Sequence, residues 1–288
     1  MEKILVTGAT GILGNAFIKG LLKKMLPSQI SVITRKEEKR AELEKQGFCT
    51  YLGDYNDTIA LEKAMNGIDT VLLISSGDQG DRMQEHMNVV NSAKKMKVKN
   101  IAYTSRSLVS RTTLSNKLME EHFLTEDFIK QSGLNYIIFQ NALYMDTIPL
   151  FIGKEVFQNG ISLPAGNGKV AFALREEQAE AMANVMTNQS FQNQTYKFTG
   201  NETYSFSDVA KVLTELSGKE VAYTSVEVAD FKKDMVQKSL SEPMIQKIID
   251  FNLDIKSGQE ATVTNELENA LGRKPTALKE GLKQLFNL

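Results

Sequence analysis

Three glycines, Gly8, Gly11 and Gly14, recur at every third position in the run Gly8-Ala9-Thr10-Gly11-Ile12-Leu13-Gly14. Glycine at such positions serves the backbone. It permits a tight turn, lets main chain approach an anionic group, and lets a helix pack closely on the strand before it. Ile4-Leu5-Val6-Thr7 precedes the run and reads as a short buried strand. Ile12, Leu13, Ala16, Phe17 and Leu21 follow on one helical face, and the helix ends near Pro27. Strand, Gly-rich turn and helix in that order bring free N–H groups and a positive dipole end to a pyrophosphate. The spacing is GxxGxxG rather than GxGxxG, so the context carries the reading more than the triplet does.

The next strand, residues 30–34, runs into Arg35-Lys36. A site selective for NAD places a carboxylate there, on the ribose 2′-OH. A guanidinium instead pairs with a 2′-phosphate. The expected cofactor is therefore NADPH, with NADH the less favoured alternative.

Strands and helices alternate from there. Strands are expected at 49–52, 70–74, 100–104 and 135–140, with helices at 36–46, 57–65, 81–96 and 115–132. That alternation predicts an α/β fold, a doubly wound parallel Rossmann sheet with ligand across its carboxyl edge. Residues just after the strands are the site candidates: Asp54, Ser75-Ser76-Gly77, Thr104-Ser105, and Asn141 to Tyr144. After Pro149 the pattern loosens. Short strands are expected at 170–173, 195–199 and 221–225. Helices are expected at 176–187, 207–217, 227–238 and 243–251, and Thr276 is a candidate N-cap. The division expected is an NADP-binding Rossmann domain over 1–150 and a smaller C-terminal α/β substrate-covering domain over 151–288. Part of the second is allowed to return to the sheet.

Composition narrows the partners. Over 288 residues, Lys+Arg 34 against Asp+Glu 35 leaves a net charge of −1, which argues against nucleic acid or an anionic membrane surface. One cysteine, Cys49, cannot close an intramolecular disulfide and fits a reducing cytoplasm. It sits on a strand between Phe48 and Tyr51, where a buried, inert thiol is expected. With two histidines besides, a His/Cys metal site is not expected. There is no signal-peptide pattern and no apolar run long enough for a membrane helix.

An alcohol or ketone dehydrogenase of this architecture uses Tyr-x-x-x-Lys, the lysine lowering the phenol pKa. None of the eight tyrosines here has lysine four residues later. Hydride addition to an isolated ketone makes a localised alkoxide that needs a placed acid. A quinone or conjugated dye cation yields a delocalised or neutral product and needs positioning more than proton donation. The partner expected is a small planar acceptor such as a quinone. A homodimer stays open.

Gly8 to Gly14, Thr34-Arg35, Leu52-Gly53-Asp54-Tyr55, Leu73-Ile74-Ser75-Ser76, Ile101 to Ser105 and Asn141-Ala142-Leu143-Tyr144 together resemble the NmrA-like branch of atypical short-chain dehydrogenases. Within it they are most similar to type 2 NAD(P)H:quinone oxidoreductases and triphenylmethane reductases. The resemblance implies bound NADPH. It puts the pyrophosphate on Gly8, Ala9, Thr10, Gly11, Ile12 and Leu13, and the 2′-phosphate on Arg35. It sets Ser75, Ser76 and Asn141 to Tyr144 along the nicotinamide half, beside Gly77, and makes Arg175 a further contact. Gln140 departs from the arginine common in relatives, and the 106–115 loop matches them poorly. His122 also matches a histidine of the resembling proteins. It is either a pocket residue that orients acceptor or gives a proton, or a hydrogen-bonded histidine at a core edge. Tyr144, at the carboxyl edge after the sixth strand, either covers the nicotinamide or stacks on a planar acceptor, or else packs on a lid helix. His86 reads as structural. The competing class is an NADP-binding regulator without turnover.

Overall fold

In the computed structural model, which describes residues 2–77, 80–153, 155–188 and 191–288, the alternation expected of the N-terminal half is present. The strands are β1 (Ile4–Val6), β2 (Ile30–Thr34), β3 (Cys49–Leu52), β4 (Thr70–Leu73), β5 (Asn100–Arg106) and β6 (Asn135–Asn141). Two short strands, β7 (Ile161–Leu163) and β8 (Lys169–Val170), lie outside the main sheet, and β9 (Gln194–Phe198) completes it. The order is β3-β2-β1-β4-β5-β6-β9. Ile4 pairs in parallel register with Ile30 on one side and Thr70 on the other. The order reverses between β1 and β4, which is where a doubly wound sheet opens a crevice.

Strands β1, β2 and β4 are buried at every position, as strands covered on both faces must be. β3 is the outer strand, and its residues are partly or fully exposed. Cys49 is accordingly exposed, not buried as expected. β5 runs two residues past its expected end. Thr104 and Ser105 therefore lie inside the sheet at 2% exposure each, not in a loop.

The helices of this half are α1 (Ile12–Leu21), α2 (Glu37–Lys45), α3 (Thr58–Met65), α4 (Arg82–Lys95) and α5 (Lys117–Gln131). Asp57 and Asp81 cap α3 and α4, their side chains accepting the N–H of Ala60 and Gln84. α1 buries Leu13, Phe17, Ile18 and Leu21. Ile12, expected on that face, is 70% exposed because it opens the helix at the Gly-rich turn. After the short α6 (Ile148–Ile152) and α7 (Val156–Asn159), α8 (Arg175–Asn188) packs on α1. The fit is close: a Cβ on Gly20 would lie 2.8 Å from Cβ of Ala183.

Contacts divide the chain into two units, but not by the single cut at residue 150. The first comprises Met1–Arg106, Glu120–Gln140 and Arg175–Lys197. The second comprises Ser107–Met119, Asn141–Leu174 and Phe198–Leu288. Two features account for the return of 175–197. α8 covers α1, and β9 joins the sheet beside β6.

In the second unit β10 (Tyr204–Ser205) pairs antiparallel with β8, and β11 (Tyr223–Ser225) parallel with β7. α9 (Phe206–Ser217), α10 (Val228–Gln237), α11 (Glu242–Lys256), α12 (Glu266–Leu271) and α13 (Leu278–Phe286) complete it. Phe172, Phe206, Leu213, Phe231, Ile245 and Leu282 share its core. Ser205 and Asp208 close a reciprocal capping box at α9. α13 is capped at Ala277, without a side-chain hydrogen bond, so Thr276 is not the N-cap.

Candidate dinucleotide site

The turn after β1 needs glycine at two places for distinct reasons. Gly8 has φ +61°, in the left-handed region, and a Cβ there would lie 3.1 Å from Cβ of Ile74. Gly14 is forced by proximity: its Cβ would fall 2.3 Å from the Gly8 carbonyl oxygen and 2.8 Å from Cα of Ala9. Helix α1 thus starts pressed against the turn. Gly11 is its N-cap and supplies no capping side chain. The N–H groups of the first helical turn therefore meet no capping side chain, and Thr10, Gly11 and Ile12 are exposed. This is an anion cradle by construction. A dinucleotide pyrophosphate fits it.

Beneath the turn, Thr7 Oγ1 donates to the Leu72 carbonyl (3.0 Å) and accepts the Ile74 N–H (3.1 Å). The Tyr55 hydroxyl lies 2.7 Å from both Thr7 Oγ1 and the Ile74 carbonyl. Burial pushes the Tyr55 phenol up, so it stays neutral and buckles β1 to the β4 exit. In the sequence Tyr55 stood out only as part of the Leu52-Gly53-Asp54-Tyr55 motif, with no role of its own. Asp54, a candidate contact, accepts the N–H groups of Asn56 (2.8 Å) and Asp57 (3.1 Å) and so closes a local turn.

Arg35 follows β2 and is exposed. The cations after it are mostly taken. Lys39 pairs with Glu42, and Arg40 with Glu37 and Glu44. Among the described residues the side chains of Arg35 and Lys36 enter no ion pair. That pattern leaves positive charge where a 2′-phosphate belongs.

The loop after β4 is held by side chains. Ser75 N–H donates to Thr104 Oγ1 (2.8 Å), and Ser76 N–H to His86 Nε2 (3.0 Å). Behind it runs a buried polar chain whose protons can be placed. Arg82 Nη1 lies 3.5 Å from His122 Nε2, and a guanidinium only donates. His122 Nδ1–H then donates to the Tyr103 hydroxyl (2.9 Å). Thr125 Oγ1 lies 2.8 Å from His86 Nδ1 and donates to the Glu121 carbonyl (2.8 Å). Burial, then the charge of Arg82, lowers the His86 pKa from 6.5 to about 3. Burial, then the charges of Arg82 and Arg106, holds His122 well below its ordinary value. Both rings are neutral. His122 has both nitrogens engaged at 5% exposure, which favours the hydrogen-bonded role over proton donation. Gln140 Nε2 donates to the buried Glu126 carboxylate (2.9 Å), which also accepts from Ser105 (2.6 Å) and pairs with Lys130 (3.2 Å).

These histidines predict a pH dependence. Their folded pKa lies below the unfolded one. As pH falls below about 6.5 the unfolded chain takes up protons that the fold refuses, so stability falls with pH down to about 3 for His86 and is flat above the window. Urea midpoints measured at pH 7.5 and at pH 5, roughly spanning that window, should drop on acidification. The drop should be smaller in His86→Gln.

Arg175 opens α8 and is half-buried in the first unit. Asn141 to Tyr144 belong to the second. Asn141, Ala142 and Leu143 are buried there. The Asn141 carbonyl accepts the Ser107 N–H (2.9 Å), and Ala142 N–H donates to the Phe198 carbonyl (2.8 Å). Tyr144 is half-buried, bridges to Ala173, and its hydroxyl accepts from Asn141 Nδ2 (3.4 Å). Among the described residues no cluster of His, Cys, Asp or Glu is placed to hold a metal ion. No helix there is long and apolar enough to cross a membrane.

A doubly wound sheet with an open Gly-rich helix start defines a dinucleotide-binding Rossmann protein. The chain matches the NmrA-like family over residues 1–286 and belongs to it. It is 34% identical over 286 residues to quinone oxidoreductase 2 of Escherichia coli (strain K12), covering 99% of each chain. The crystal structure of the E. coli NADPH-dependent quinone oxidoreductase complexed with NADPH matches with a TM-score of 0.89 at 34% identity, over 99% of this chain and 100% of that one. The Citrobacter sp. triphenylmethane reductase complexed with NADP(H) matches with a TM-score of 0.90 at 32% identity, over 98% and 99%.

Proposed function

We propose that the protein is an NADPH-dependent reductase of quinones or similarly conjugated planar acceptors. It is an NAD(P)H-dependent oxidoreductase, in keeping with its relatives. The uncapped start of α1, together with an exposed Arg35 that enters no ion pair among the described residues, is the observation that carries the NADPH reading.

When bound, NADPH supplies the hydride. The chain's part is to bind and to orient. Gly8 to Leu13 would take the pyrophosphate and Arg35 the 2′-phosphate. Ser75, Ser76 and Gly77 would line the nicotinamide half, with Asn141 to Tyr144 and Arg175 as further contacts. Tyr144 is the candidate to stack on a flat acceptor. With no Tyr-x-x-x-Lys in the sequence and His122 buried and neutral, solvent supplies the proton. A quinone accepts hydride without a placed acid, and that supports the acceptor class.

The test is NADPH oxidation by the purified protein with and without benzoquinone. The expected result is turnover that depends on quinone and saturates with it. Tight NADPH binding with no quinone-dependent turnover would replace the reductase with an NADP-binding regulator.

A further inference from the structure

We propose that His86 is a positioning residue for the nicotinamide half of the cofactor site, acting through the backbone of Ser75 and Ser76. The proposal rests on the NADPH reading and is independent of the acceptor.

The observation begins where β4 ends. The next three N–H groups each donate to a side chain: Ile74 to Thr7, Ser75 to Thr104 and Ser76 to His86. Thr104 is a residue of β5, and Thr7 directly follows β1, so both anchors belong to neighbouring strands. The third anchor comes from helix α4. Arg82, one turn earlier on that helix, reaches the Gly77 carbonyl (3.5 Å). The loop is therefore set by the sheet at its start and by α4 beyond.

His86 can accept at Nε2 only with its proton on Nδ1. Thr125 fixes that choice. Its hydroxyl proton goes to the Glu121 carbonyl, leaving a lone pair for His86 Nδ1–H at 2.8 Å. His86 is 0% exposed, so water does not compete for either nitrogen.

The consequence is a strip of fixed polarity. Its backbone donors at Ile74, Ser75 and Ser76 are spent inside the protein. Among the described residues no hydrogen bond reaches the carbonyl oxygens of Ser75 and Ser76. The strip offers acceptors to a ligand that carries donors. In a doubly wound sheet the β1 turn takes the pyrophosphate and the β2 end the adenosine. By strand order the β4 exit falls to the remaining half, whose donors are ribose hydroxyls and a carboxamide NH₂. Losing the His86 acceptor would leave Ser76 N–H unpaired and release the strip.

The experiment compares wild type, His86→Phe, His86→Gln and Thr125→Val by calorimetric titration. One ligand is NADPH. The other is the adenosine bisphosphate that forms its 2′-phosphorylated half. His86→Phe keeps a ring and loses the acceptor, and should weaken NADPH by about tenfold while leaving the bisphosphate within about twofold. His86→Gln presents a carbonyl oxygen at similar reach and should recover most of the loss. Thr125→Val keeps His86 but frees its tautomer, and should weaken NADPH by about threefold, again sparing the bisphosphate. Equal weakening of both ligands in the phenylalanine and valine variants would assign His86 a general structural role and overturn the proposal. So would unchanged NADPH binding in both, or glutamine behaving as phenylalanine does. If wild type itself bound the bisphosphate but gained nothing from the nicotinamide half, the NADPH reading beneath the proposal would fail.

Discussion

Arg35→Glu should raise the Kd for NADPH by about a hundredfold while leaving NADH binding nearly unchanged. Charge-assisted hydrogen bonds to a phosphate contribute about 1.5–3 kcal/mol, and a carboxylate in the same place adds repulsion. The neighbours cannot compensate well. Lys39 and Arg40 are committed to Glu42, Glu37 and Glu44, and Lys36 is the remaining neighbouring cation that enters no ion pair among the described residues. Because Arg35 is exposed, the effect should shrink as salt is added. Fluorescence titration with both cofactors at low and high salt measures it. Unchanged NADPH affinity would remove the 2′-phosphate from Arg35.

The second large effect is expected from Gly14→Ala. The added Cβ meets main chain at 2.3 and 2.8 Å. Backbone cannot swing aside as a side-chain tip can, so either α1 or the turn must move. Overpacking of this kind costs about 1–3 kcal/mol, and here the displaced group is the cradle itself. Stability in urea should fall by that amount, and NADPH affinity by at least tenfold, about 1.4 kcal/mol. Gly11→Ala is the internal control, since its Cβ would meet only the Gly8 carbonyl oxygen, at 3.3 Å. It should leave stability nearly unchanged. Equal losses in the two variants would contradict the packing account.

The strand, turn and helix proposed to take the pyrophosphate were legible because all their signals are local. The apolar run, the glycine spacing and Arg35 lie between the start of β1 and the residue after β2. What escaped the sequence is set by partners far along the chain. Tyr55 acquires meaning from Thr7 and Ile74, and His86 from Ser76 and Thr125. A polar residue on a helix does not announce which strand end it will meet. Cys49 was misplaced for a related reason: burial depends on strand order, and nothing in residues 49–52 says that β3 is outermost. α11 outran its expected end because Asn252 and Asp254 interrupt the apolar pattern, yet both are buried and the helix continues to Lys256. That part of the C-terminal half returns to the sheet was allowed for, but which segments return was not legible, because β9 pairing beside β6 is a long-range contact.

That return imposes an order on synthesis. A chain emerging from the ribosome makes β6 long before β9. Until Gln194–Phe198 appears, the strand carrying Ile137, Ile138 and Phe139 is an open apolar edge, the kind of surface that recruits other chains. The nascent Rossmann sheet cannot close until residue 197 is out. Truncating the gene at residue 150 would therefore yield an aggregating fragment rather than a smaller NADPH binder. A split version of this enzyme would have to break inside the second unit's final segment, after β9.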